Sequence, residues 1–132
     1  MLLLQILKGL LDMVKQTVYL AVDFTINDGQ RDAFESIAHE MIAGSQKEPG
    51  TLGYEWFLSA DGKRYRLIET YRDADAVLAH FNGPVVQQLV PKILGTASVG
   101  GFEVYGEPGP KVREMLAGFG AEIFDFENGL DR

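Results

Sequence analysis

The chain has no cysteine, which excludes disulfide bonds, thiolate nucleophiles, cysteine-ligated zinc sites and iron–sulfur clusters. Basic residues are also scarce: twelve of them against nineteen acidic residues give a formal charge of −7. Because phosphate binding depends on lysine and arginine patches, we expect no nucleic-acid partner. Neither a secretory leader nor an apolar run of membrane length is visible, so the sequence predicts a cytoplasmic protein without a membrane partner.

Motifs for metals and cofactors are missing as well. The two histidines, His39 and His80, do not have the spacing of a metal site. The pair Gly100-Gly101 lacks the other residues of a nucleotide-binding loop. We therefore expect neither a metal nor a bound cofactor. With 132 residues, 46% of them hydrophobic and 23% charged, the chain is typical of one globular domain.

The hydrophobic periodicity predicts the element order β-α-β-β-α-β. An Asp-Gly turn at 61–62 joins the second and third strands into an antiparallel hairpin, and Asp73 or Asp75 is expected to cap the second helix. This order is typical of a ferredoxin-like α+β sandwich, in which helices cover one face of an antiparallel sheet. The predicted strands span 16–24, 52–59, 65–71 and 96–106, and the predicted helices span 34–45 and, interrupted at 82–84, 74–94.

The predicted sheet carries apolar rows on both faces, although helices cover only one of them. An apolar face of this size is not stable in water. Two copies packed sheet against sheet would remove the exposure, so we expect a homodimer with two-fold symmetry.

Two extensions flank the predicted domain, which spans 16–107. The segment 1–15 has leucines at helical spacing. It is interpreted either as an extension before a natural start at Met13 or as an amphipathic helix that docks on the domain, on a second subunit or between two dimers. The segment 108–132 is too apolar for a free tail, and its strand-like stretch 121–126 is expected to cross to the partner subunit and cover a sheet edge at the dimer interface.

Three motifs along the domain carry a family resemblance: Glu48-Pro49-Gly50-x-Leu52-x-Tyr54, then Glu69-Thr70-Tyr71-Arg72-Asp73 followed by Ala76-x-x-Ala79-His80-Phe81, and finally Phe102-Glu103-Val104-Tyr105. In this order they resemble the antibiotic biosynthesis monooxygenase family of dimeric α/β-barrel proteins. The resemblance implies a ferredoxin-like fold, a homodimer, and a pocket between sheet and helices. It also implies that dioxygen oxidises a quinol or another electron-rich aromatic without a cofactor.

Five residues are candidates for such a site. His80 is the predicted catalytic base, since histidine can accept a phenolic proton near neutral pH and the family often has a histidine here. Tyr71 is predicted to hold the oxygen anion of the substrate. It stands where haem-degrading relatives have a tryptophan, which argues against haem degradation. The residues expected to line the substrate cavity are Trp56, Phe81 and Tyr54, with a core or interface position as the alternative for Trp56.

Three other polar residues receive structural interpretations. His39 is expected on the solvated face of its helix, and Asp23 as an exposed acid at a strand end. Glu69 is expected to pair with an arginine. The candidate partners of Glu69 are Arg64, Arg66 and Arg72.

The predicted function is therefore cofactor-independent monooxygenation of a quinol or similar aromatic. A non-catalytic dimer that binds a small aromatic ligand is the first alternative. The second is an isomerase of a small carbonyl compound with His80 as its base. Only the oxygenase would consume dioxygen.

Overall fold

A computed structural model describes residues 1–13 and 15–132, and within 8–13 it describes the backbone alone. Helices and strands alternate as the periodicity predicts, with one extra helix at the start and a helix and strand at the end. The elements are α1 (Leu2–Met13), β1 (Val18–Ile26), α2 (Arg31–Ser45), β2 (Thr51–Leu58), β3 (Arg64–Tyr71), α3 (Ala74–Asn82), a π-helical turn (Val85–Leu89), α4 (Val90–Ile93), β4 (Ala97–Tyr105), α5 (Gly109–Gly118) and β5 (Glu122–Phe124).

The strands form one sheet in the order β2-β3-β1-β4-β5. The first four are antiparallel to their neighbours, and β5 runs parallel to β4. The central order β2-β3-β1-β4 is ferredoxin-like, which confirms the predicted fold class. The pairing of β1 with β4 is irregular at Gly100-Gly101, because Asp23 pairs with Gly101 while the next residue, Phe24, pairs with Val99.

The inner face of the sheet packs under the helices in two hydrophobic clusters. The first lies beneath α2 and α4 and is rich in aromatic rings, with Phe24 and Phe34 buried at its centre. The second lies beneath α3 and α5 and includes the buried Leu20, Val77 and Leu116. Phe102 on β4 packs against both clusters, so it marks the junction between them.

The outer face of the sheet is more polar than the sequence analysis suggested. Arg66 on β3 and Asp23 on β1 form a two-point ion pair across the strands, at 2.8 and 2.9 Å. Ile68 stands in one row with the acidic residues Glu55 and Glu103. Because charges interrupt the apolar rows, the predicted contact of two sheets has to accommodate ion pairs as well as apolar side chains.

The C-terminal extension folds back onto its own domain, and the prediction that its strand crosses to the partner is wrong. Val112 and Leu116 of α5 are buried in the second cluster. The strand β5 pairs with β4 of the same chain, with Ile123 beside Val104. Without β5 the edge of β4 would be open, and a strand of the same chain, joined to β4 through α5, covers it at a smaller entropic cost than a strand from another chain.

The N-terminal segment is helical as predicted, but its first residues do not dock on the domain. The side chains of Leu2, Leu3 and Leu4 are 67–70% exposed. The expectation of docking on its own domain is therefore wrong for residues 1–7, while docking on a second subunit stays a prediction. None of the helices described here is both long and apolar enough to span a membrane.

Candidate functional site

A cavity of about 210 Å³ opens at the junction of the two clusters, between the sheet and the helices. This is the position that the family resemblance implies for a pocket. Apolar side chains form nearly all of its wall, and the polar exceptions are Tyr54, Glu69 and His80. The full lining consists of Val22, Phe24, Met41, Tyr54, Leu67, Glu69, His80, Phe81, Val86, Val90, Leu94, Val99, Phe102 and Phe119.

Helix α3 carries His80 into this cavity in its last turn. The helix begins where the sequence predicts, because the carboxylate of Asp73 accepts a hydrogen bond from the backbone N–H of Ala76 at 2.9 Å. Ala76 and Val77 face the sheet and are buried. Their burial fixes the rotation of α3 about its axis, and this rotation turns His80 inwards, where it is 2% exposed.

Gly50 explains how the loop before β2 comes so close to α3. A Cβ atom at this position would collide with the side chain of Ala76, so any other residue would push the loop and the helix apart. The close approach brings Glu48, two residues earlier, to the imidazole of His80. The glycine of the Glu-Pro-Gly motif thus serves the site as well as the turn.

His80 lies between two carboxyl groups. Its Nδ1 is 2.7 Å from Oε1 of Glu48, and its Nε2 is 3.5 Å from Oε1 of Glu69. Glu48 is itself held by the hydroxyl of Thr51, which donates to the same Oε1 at 2.8 Å. A carboxylate at Nδ1 favours the tautomer whose proton is on that nitrogen, which leaves Nε2 free to accept a proton.

Glu69 is buried, and its environment favours the protonated form. Desolvation raises the pKa of this carboxyl, although the nearby His80 and a hydrogen bond from Tyr71 act in the opposite direction. The hydroxyl of Tyr71 donates to Oε1 of Glu69 at 2.5 Å. Two titratable side chains, His80 and Glu69, therefore lie next to each other at the cavity wall.

The predicted arginine partner of Glu69 is wrong for a geometric reason. Arg64 and Arg66 occupy even-numbered positions of β3 and project to the outer face, whereas Glu69 projects inwards. Arg72 follows the strand and contacts the carboxylate of Asp73 instead, at 3.4 Å. The partners of Glu69 on the inner face are therefore a tyrosine and a histidine rather than an arginine.

Both tyrosines of the site stay protonated, since burial raises the pKa of Tyr54 and of Tyr71. Their positions differ. Tyr54 lines the cavity, and its ring centroid is 5.5 Å from that of His80. Tyr71 is fully buried and lies outside the lining. Its hydroxyl donates a hydrogen bond to Glu69. In this structure Tyr71 therefore orients Glu69 and does not reach the cavity.

The two remaining candidates are placed differently. Phe81 lines the cavity beside His80. Trp56 lies behind the wall, in the first cluster, where its ring stacks on Phe24 at 5.6 Å and meets the edge of Tyr54 at 6.0 Å. Of the five predicted residues, the structure brings His80, Tyr54 and Phe81 to the cavity surface and leaves Tyr71 and Trp56 in the layer behind it.

Sequence reasoning missed several parts of the site. Glu48 stands in a quoted motif, but its chemistry was not considered. Glu69 is a charged residue at an inward position of an otherwise apolar and aromatic strand face, and this was a usable signal. Met41 and Phe119 gave no signal beyond being apolar. Among the side chains that the structure describes, those of residues 1–7 and 15–132, no three or more histidine and acidic groups form a cluster suited to a metal ion.

A family model for antibiotic biosynthesis monooxygenase matches residues 17–92, more than half of the chain and all of the cluster around His80. The chain belongs to this family. Among proteins of curated function, a search gave no match. The C-terminal extension and β4 lie beyond the part that the family model covers.

Solved structures of similar fold agree with the assignment. MupZ from Pseudomonas fluorescens is 27% identical with a TM-score of 0.77, over 89% of this chain and 95% of MupZ. A possible oxidoreductase from Bacteroides thetaiotaomicron is 26% identical with a TM-score of 0.63, over 69% of this chain and 97% of that one. SnoaB from Streptomyces nogalater, a cofactor-independent oxygenase, shares the fold at 18% identity and a TM-score of 0.62, over 72% and 96%.

Proposed function

We propose that this member of the family is a cofactor-independent monooxygenase that oxidises a compact, uncharged phenol or quinol with dioxygen. The observation that carries the proposal is the position of His80, which lies at the wall of an apolar cavity with a carboxyl group near each of its ring nitrogens. The family and the fold shared with an oxygenase support the reaction class.

The cavity favours an uncharged substrate. Among the residues that the structure describes, no lysine or arginine lines it, and the acidic side chain of Glu48 lies just behind His80. A substrate carboxylate would therefore enter a poorly solvated space without a lysine or arginine to pair with. A volume of about 210 Å³ is also below the ~300–1,000 Å³ of pockets for drug-sized ligands. Both properties favour a small fused-ring phenol and disfavour a porphyrin with its carboxylates.

Deprotonation of the phenol starts the reaction. Nε2 of His80 accepts the proton, and the resulting imidazolium is stabilised by Glu48 at Nδ1. Dioxygen reacts slowly with closed-shell molecules, but a phenolate can give it one electron. The two radicals then combine, and a C–O bond to a peroxide forms on the ring. The apolar wall keeps water away from these species.

Breakdown of the peroxide completes the oxidation. The ring carbon loses its hydrogen as a proton, and the O–O bond breaks. One oxygen atom becomes the new carbonyl oxygen, while the other takes up protons and leaves as water. All four electrons come from the substrate, so the balance requires no further reductant. The imidazolium of His80 returns the proton that it received from the phenol.

Oxygen consumption is the test of this proposal. Purified protein is supplied with anthrone and with a dihydroxynaphthalene, and uptake is measured against a blank without protein. The quinone formed under isotopically labelled dioxygen should carry one labelled oxygen atom, and the released water should carry the other. Uptake equal to the blank for every phenol tested, together with tight binding, would favour the ligand-binding alternative. Rearrangement of a carbonyl compound without uptake would favour the isomerase.

A further inference from the structure

The wall of the cavity on the side of the C-terminal extension contains a residue outside the part that the family model covers. Phe119 follows α5 directly and lines the cavity together with Phe81 of α3. Their ring centroids are 5.7 Å apart. Phe81 in turn meets the edge of the His80 ring at 5.8 Å. A row of three rings therefore leads from the extension to the proposed base.

The backbone of Phe119 is firmly held, although its side chain is exposed. Val112 and Leu116 anchor α5 in the second cluster, at 4% and 0% exposure. The carbonyl oxygen of Leu116 accepts hydrogen bonds from the N–H groups of Phe119 and Ala121, at 3.0 and 3.1 Å. The ring of Phe119 is nevertheless 61% exposed. A large aromatic side chain on a fixed backbone, half in solvent at the edge of an apolar cavity, is placed to gain contact when a ligand enters.

We propose that Phe119 is a specificity-determining residue that closes the cavity over a bound aromatic ligand and limits its size. The ligand class rests on the proposed function. A ring held between the cavity floor and Phe119 would be contacted on both sides, and aromatic pairs stabilise a complex beyond the area that they bury. Residues 109–124 then complete the site by contributing this ring.

Binding measured without turnover tests the role of Phe119. Phe119→Ala is compared with Phe126→Ala, which removes an exposed ring of the same extension that does not line the cavity. Dissociation constants for naphthol and for the larger anthrone are measured anaerobically by calorimetry. The emission of Trp56 is followed in parallel, because this residue is the only tryptophan and contacts two residues of the wall.

We expect Phe119→Ala to weaken the binding of naphthol roughly tenfold and that of anthrone less, so that the preference for the smaller ligand falls. Phe119→Leu should still cover part of the cavity, so its affinity for naphthol should lie between those of the wild type and Phe119→Ala. Phe126→Ala should match the wild type. Equal losses for both ligands, or a Phe119→Ala variant that binds both as the wild type does, would overturn the proposal. Because no oxygen is consumed, failure of the oxygenase reaction would leave this result intact.

Discussion

Glu69 and Asp23 lie on the neighbouring strands β3 and β1 but point to opposite faces of the sheet. Desolvation raises the pKa of Glu69, which is 4% exposed beneath the helices. Hydrogen bonds from Arg66 lower the pKa of Asp23, whose side chain is 26% exposed on the outer face. The pKa values of two carboxyl groups on one sheet are thus shifted in opposite directions, according to the face on which each group lies.

The difference shows where this fold can perform proton chemistry. Asp23 is held ionised by a cation and stays so at neutral pH, which makes it a structural charge. Among the described residues no lysine or arginine pairs with Glu69, whose polar neighbours are Tyr71 and His80. The inner face is therefore where we propose the acid–base pair, while the outer face carries an ion pair.

The largest effect is expected from removing the histidine of the inner face. His80→Ala should lower oxygenase turnover by ~10²–10⁴-fold, the usual loss for a general base. His39→Ala is the matched control, since His39 is exposed on α2 and should leave turnover unchanged. Initial rates of oxygen uptake, with and without added imidazole, measure the effect. Partial rescue by imidazole would support the base, and unchanged turnover in a folded His80→Ala protein would remove it from the mechanism.

The second-largest effect is expected from a substitution on the outer face of the sheet, and it should change the assembly of the protein. We expect a homodimer through this face at micromolar concentration, which sedimentation velocity can measure. Phe57 is 53% exposed there and stands opposite Arg66. Phe57→Asp should weaken the dimer, because it replaces an apolar ring by a charge at the expected interface. The subunit itself should stay folded, because Arg66 lies opposite the new carboxylate. A wild-type protein that sediments as a monomer, or a variant that dimerises equally well, would contradict this assignment of the face.

A smaller effect on stability is expected from Glu69→Gln. Because the folded state raises the pKa of this carboxyl, folding costs free energy once the pH exceeds its ordinary value of 4.5. The amide cannot ionise and still accepts a hydrogen bond from Tyr71. The variant should therefore melt at a higher temperature than the wild type at neutral pH, and the gain should vanish in acid.

Melting curves from acid to neutral pH measure the gain from Glu69→Gln. A variant that is less stable than the wild type at neutral pH, with a loss that grows as the pH rises, would show that Glu69 is stabilised as an anion. The distinction between the two faces would then not hold.

The smallest effect on stability is expected from Asp23→Asn. This substitution should lower the stability at neutral pH, whereas Glu69→Gln should raise it. A carboxyl with a lowered pKa stabilises the folded state above its ordinary value of 3.8 and loses this contribution as the pH falls. The pair with Arg66 is solvent-exposed in a single subunit, so the loss at neutral pH should be only ~0.2–1 kcal/mol when unfolding is measured at a concentration where the subunits do not associate. Chemical denaturation at neutral pH and in acid checks both the size and the sign.

The residues of the fold were more predictable than those of the site. Alternation placed Leu67, Glu69 and Tyr71 on one face of β3, and the structure confirms it. The same alternation already excluded Arg64 and Arg66 as partners of Glu69. What alternation cannot supply is the neighbour in space: Glu48 is 32 residues from His80 in sequence, and only the packing of α3 against Gly50 brings them together.

The extensions were predicted least well, for a related reason. Apolar content showed that residues 108–132 had to be covered, but not by which chain. The choice depends on the loop before β5 and on the free edge of β4, and neither has a sequence signal of its own. The role of Phe119 follows from the same packing, because only the docking of α5 through Leu116 carries its ring to the cavity.

The central claim is that His80 takes the proton of a bound phenol, and absorbance can test it directly. A naphthol is titrated anaerobically into wild-type protein, His39→Ala and His80→Ala at a pH where the free phenol is neutral. The account predicts that the phenolate band appears with the wild type and His39→Ala and is absent with His80→Ala, although all three bind the ligand. A phenol that stays neutral on the wild-type protein, yet is still oxidised when oxygen is admitted, would contradict it.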